Sequence, residues 1–140
     1  MKRREVWRRW VDTSLSAGDA TRRAILDVTG LPPGRFRVLR NLVDRSLTLV
    51  ELAERTRADA PATTVIVNDL VERGLVERGP HPTNGRAKLV SLTPAGRAVV
   101  TKGRNAVDEP PPEFLALDAE DLAAFERVLE ALRRATPRHG

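Results

Sequence analysis

Apolar residues recur at three- and four-residue spacing along most of this chain, and that period predicts helices. Val6, Trp7, Trp10, Val11 and Leu15 fall on one stripe of a helix over residues 4–15, with Arg4, Arg8, Arg9 and Asp12 around the rest. The stretch "SLSAGDA" at 14–20 weakens the pattern with two serines and Gly18, so Asp19 is expected to cap a continuation through Ala24, Ile25 and Val28 that stops at Gly30. A second helix is predicted after Pro32-Pro33, carrying Phe36, Val38, Leu39, Leu42 and Val43. Thr48 with Glu51 three residues later reads as a capping box ahead of Leu49, Leu52 and Ala53. After the turn "RTRAD", Asp59 is the expected N-cap and Pro61 suits the first turn of a helix through Ile66, Val67, Leu70 and Val71, halted at Gly74.

The period then changes. Leu75 to Glu77 and Lys88 to Leu92 are strand-like and enclose a tip, Gly79 to Arg86, with almost no apolar content to bury. Such a tip is either a solvated loop or a probe for something anionic. Thr93-Pro94 opens another helix, the prolines of "DEPPPEF" break the chain, and Asp118 with Asp121 starts a last helix through Leu122, Phe125, Leu129 and Leu132. The predicted fold class is therefore mostly α with a small β-hairpin (α+β). A short capped helix, a tight turn, a second helix and a hairpin make up a winged helix-turn-helix. In that geometry the second helix enters the major groove of DNA and the hairpin tip reaches the backbone or the minor groove, which accounts for a tip with nothing to pack.

Size and composition limit the alternatives. At 140 residues a single domain is expected. With no cysteine there is no disulfide, thiol switch or thiolate metal site, and His81 and His139 are too few and too far apart for a metal centre. No cofactor is implied. Apolar runs fall short of a membrane span and the basic N-terminus lacks a signal-peptide apolar region, so the expected location is the cytoplasm, with no membrane partner. Residues 1–104 carry a net charge of +9 and residues 105–140 a net of −4. Arginine supplies 21 of the 24 basic residues, and its planar fork suits phosphate and base edges. An enzyme is not expected, because the carboxylates are scattered over helix surfaces and caps and no phosphate loop, Ser-His-Asp order or metal spacing occurs.

The segments "LTLVELAERT" and "VNDLVERGLVERGPHPTNGRAKLVSLTPAGR" resemble the MarR family of bacterial transcriptional regulators, and the flanking helices match its ordering. The resemblance implies a homodimer joined through N- and C-terminal helices, here residues 1–30 and 94–140, around a DNA-binding region at 33–93. It also implies a repressor on a pseudo-palindromic duplex site, released by a small aromatic ligand. Two positions depart from the family pattern. The wing reads Asn84-Gly85-Arg86 where an acidic residue commonly supports the arginine, and Val65 stands where a basic residue is common. Pro110 to Pro112 also shorten the helix before them.

These readings select the candidate contacts. Base contacts are expected from Thr64, Asn68 and Thr63, with Val65 or Ala62 against a thymine methyl; Asn68 pairs with adenine or caps local backbone. Arg37, Arg57, Arg86 and Lys88 are the expected phosphate or minor-groove contacts. His81 is read as a loop residue or, when protonated, a phosphate contact. Trp7, Trp10, Val11, Phe125 and Leu129 are assigned to a dimer interface or a ligand pocket, the indoles either packing across the dimer or stacking on an aromatic ligand. The competing class is a winged helix that serves as a protein-interaction module and no longer reads DNA.

Overall fold

The computed structural model describes residues 2–136, so His139 lies outside the described residues. Its first element, α1, is one continuous helix, Lys2–Thr29. The break expected near Gly18 does not occur. Asp19 lies inside the helix and pairs with Arg22 one turn on. A glycine and two serines cost a helix about 1–2 kcal/mol in propensity, less than packing along a neighbour returns, and α1 lies against the helix Pro94–Asp108. Gly30 ends it as expected, at φ 68.

Then come α2 (Pro33–Asn41), α3 (Leu49–Thr56) and α4 (Ala60–Glu72), which pack on one another. Their facing sides hold the core: Val38 and Leu39 of α2, Leu52 of α3, and Val67 and Leu70 of α4 are all at most 1% exposed. Each buried leucine contributes roughly 1.5–3 kcal/mol. Gly74, at φ 71, turns the chain into the antiparallel strands β1 (Val76–Pro80) and β2 (Lys88–Leu92). Val76 pairs with Leu92 and Pro80 with Lys88. The first strand thus starts one residue later than expected and takes in Gly79 and Pro80, which the sequence places in the tip. Proline is tolerated there because β1 has a free edge.

Leu47 adds a bridge that the apolar period does not announce. Its N–H donates to the Val90 carbonyl at 3.1 Å and the Val90 N–H returns a bond at 2.8 Å, which makes a short third rung beside β2. This rung ties the middle of the hairpin, where Val90 faces Arg78, to the segment leading into α3. The helix α5 (Pro94–Asp108) starts under the hairpin, where the Thr93 hydroxyl accepts the Gly96 N–H at 3.0 Å. Gly96 has to be glycine, since a Cβ there would lie 2.0 Å from the Leu75 carbonyl oxygen. Gly103 likewise makes room for the ring of Phe36.

The residues up to Asp108 form one compact unit and those from Glu109 a second. The second holds α6 (Pro112–Leu115), a single turn that sequence reading leaves as a proline break, and α7 (Ala119–Ala135). Asp118 caps α7 by accepting the Asp121 N–H at 2.8 Å. Phe114 meets Phe125 edge to face, with ring centroids 5.9 Å apart.

Candidate nucleic-acid interface

Two caps set the helix-turn-helix. Thr48 and Glu51 form the reciprocal box, with the Glu51 N–H donating to the Thr48 hydroxyl at 3.2 Å and the Thr48 N–H to the Glu51 carboxylate at 3.1 Å. That donated N–H, with the Thr48 hydroxyl and the charge of Arg55 behind it, holds the Glu51 carboxyl below the usual carboxylate range. Asp59 caps α4 through the Ala62 N–H at 2.7 Å. Between the caps Arg57 sits at φ 54, a left-handed position seen in no other non-glycine among the described residues, and its side chain is exposed at the turn. A left-handed arginine costs on the order of 1 kcal/mol and persists because the α3 cap requires that turn.

Burial divides α4. Thr63 is 1% exposed and its hydroxyl donates to the Asp59 carbonyl at 2.8 Å. It belongs to the core face with Val67 and Leu70, which corrects its assignment as a base contact: position 63 is four residues before Val67 and so shares its side of the helix. Thr64 is half-buried and donates to Ala60. Pro61, Ala62, Val65 and Asn68 face outward, Val65 with 61% of its surface exposed. No lysine or arginine occurs between Ala60 and Glu72. Asp69 is drawn away from the outward face by Arg35 of α2 and by Arg73, whose Nε lies 3.0 Å from it. The hydrogen bond from Arg35 is the main reason its carboxyl is held below the ordinary range. This pair also fastens α4 to α2.

Asn68 neither caps backbone nor stands free; its side-chain oxygen accepts from Arg78 of β1. Sequence reading missed Arg78. The signal was available in the reversal at Gly74: a strand residue advances about twice as far as a helical one, so a residue a few places into β1 returns beside one further back on α4. The tip is closed by its own side chains. The His81 Nδ1 accepts the N–H groups of Thr83 and Asn84, both at 3.1 Å, and the Asn84 side-chain oxygen accepts the Arg86 N–H at 3.1 Å. His81 is thus an organiser of the loop in the tautomer that leaves Nδ1 unprotonated. Arg86 and Lys88 remain exposed. With Arg78 they line a cleft of about 290 Å³ against Thr48, Leu49 and Val50 at the start of α3.

The other candidates are spread more widely. Arg37 is exposed on α2. Trp7 and Trp10 are 63% and 38% exposed on α1, and Val11 beside them is half-buried. Phe125 is half-buried and Leu129 exposed on α7, in the second unit. Among the described residues no group of His, Cys, Asp or Glu is placed to hold a metal ion, and no helix is long and apolar enough to cross a membrane.

A capped helix, a tight turn, a second helix and a hairpin braced by a third rung define a winged helix-turn-helix protein. Residues 29–87 match the model of the MarR family. The multiple antibiotic resistance protein MarR of Escherichia coli is 32% identical over 108 residues, which cover 75% of this chain and 73% of that protein. The chain belongs to the MarR family. An uncharacterised HTH-type transcriptional regulator of Mycobacterium bovis is 38% identical over 64 residues, 46% of this chain; the chain spans 45% of that relative's length. The crystal structure of a mutant E. coli MarR complexed with operator DNA is similar at a TM-score of 0.63 and 26% identity, covering 86% of this chain and 91% of that one.

Proposed function

We propose that the protein is a homodimeric, ligand-responsive transcriptional repressor of the cytoplasm that binds a pseudo-palindromic site in duplex DNA. Residues 33–93 make the DNA contacts and residues 1–30 and 94–140 the dimer, with half-sites about one helical turn, roughly 34 Å, apart. The observation that carries the reading is the cationic wing. Arg78, Arg86 and Lys88 converge on one cleft, and Arg78 also reaches Asn68 on the outward face of α4, a face that bears no cation of its own. The operator complex of the E. coli relative supports it.

Dimerisation is supported by the stripe that α1 leaves uncovered. Val6, Trp7 and Leu15 are each at least 60% exposed, an apolar surface of the kind that marks a partner. An aromatic ligand represses or releases only by binding two dimer conformations with different affinity, and the indoles of Trp7 and Trp10 are its candidate stacking surface. A second reading, a protein-interaction module, draws on the absence of basic residues from α4. Titration of the full-length protein with DNA flanking its own gene separates the two. Saturable, salt-steep binding that Arg86→Ala weakens supports the regulator, and its absence at low salt supports the module. Light scattering should return twice 15.5 kDa. A monomer at micromolar concentration removes the palindrome.

A further inference from the structure

The outward face of α4 presents almost nothing that hydrogen-bonds freely. The Thr64 hydroxyl is engaged by the Ala60 carbonyl at 3.0 Å, Thr63 is buried, and the Asn68 oxygen is held by Arg78. Held toward β1 by Arg78, the Asn68 side chain does not turn its oxygen and amide together outward in the donor–acceptor pair that adenine takes. Asp59 is committed to the N-cap, and Glu72 stands at the far end of the helix from the residues that enter a groove first. Pro61, Ala62 and Val65 are what remains, apolar and exposed.

Only one feature of the major-groove floor is recognised by an apolar side chain, the C5-methyl of thymine. Resting on the DNA-binding reading above, we infer that Val65 and Ala62 read thymine methyl groups, so that the preferred half-site is defined by thymines at the positions these two residues reach. Charge complementarity selects DNA as the occupant of this apolar face. Arg78 reaches it at Asn68 and gathers with Arg86 and Lys88 on the wing, while Arg35 and Arg73 neutralise Asp69 on its edge. Val65 is thereby a specificity-determining residue whose contact carries no charge and no salt dependence.

The test uses full-length protein and the duplexes it selects from random DNA. Thymines shared by the selected half-sites are replaced one at a time by deoxyuridine, which lacks only the methyl group. Each contacted methyl should be worth about fourfold in affinity, and about sixteenfold when both half-sites are substituted. Deoxyuridine outside the half-sites should change nothing. Val65→Ser, at an exposed position where the fold tolerates the change, should bring the thymine-to-deoxyuridine ratio towards one while the salt slope stays as it was. Wild-type binding that is equally tight on deoxyuridine, or selected half-sites that share no thymine, overturns the inference and leaves DNA binding intact. No saturable binding to any duplex at low salt overturns the DNA-binding reading and this inference with it.

Discussion

The wing and the outward face of α4 lie next to each other and have opposite chemistry. The wing brings Arg78, Arg86 and Lys88 to one cleft and closes its tip through His81 and Asn84. The helix offers valine, alanine and proline and no cation. Contacts to phosphate are strong, salt-dependent and nearly blind to sequence, whereas an apolar contact to a base is weak, insensitive to salt and selective. In the proposed complex the wing supplies affinity and the helix supplies preference. Arg78 and Asn68 join the two surfaces.

The largest effect should come from removing their common support. Gly96→Ala drives a Cβ into the Leu75 carbonyl beneath the hairpin and should lower stability by about 3 kcal/mol, read from urea unfolding, with both surfaces lost together. Next is Arg86→Ala, which should weaken binding on the order of tenfold per wing, alike on all sequences, and flatten the log–log salt slope by about one per wing. An effect confined to some sequences would move Arg86 from the phosphate to the base-reading side of the comparison. Smaller again is Arg78→Ala. It removes one cation but frees the Asn68 amide, so affinity should fall less than with Arg86→Ala while a preference for adenine appears in selected sites. Unchanged selection would show that Asn68 does not reach the bases.

The smallest effect is acid sensitivity. Asp69 and Glu51 have carboxyls held below their ordinary values of 3.8 and 4.5. A depressed folded pKa contributes stability that is complete above the unfolded value and lost as pH falls through the folded one. Urea midpoints should therefore be flat from neutral pH to about 5 and decline below about 4.5, and Asp69→Asn should reduce the decline. A decline of the same size in that variant would remove the Arg35–Asp69 link from the account.

Much of this was legible in the sequence, because the signals were local. The Thr48–Glu51 box, the Asp59 cap and the glycine stops at 30 and 74 each rest on residues within one turn, and each forms as expected. What was missed depends on packing or on distant chain. Gly18 fails to break α1 because α5 lies along it, and the Leu47–Val90 rung joins positions more than forty residues apart. The same holds at the candidate interface. Thr63 looked available because threonine is polar, but its place four residues before Val67 turns it inward. Arg78 looked like an ordinary strand residue until the turn at Gly74 brought it to Asn68.

The most direct measurement is a salt titration of full-length wild-type protein and Arg86→Ala on the DNA flanking its own gene. If about six phosphates are neutralised per dimer, the wild-type log–log slope should be near −5 and the variant's visibly shallower, with weaker binding at every salt concentration. Equal slopes and equal affinities, or no binding at the lowest salt, would contradict the claim that this wing grips a double helix.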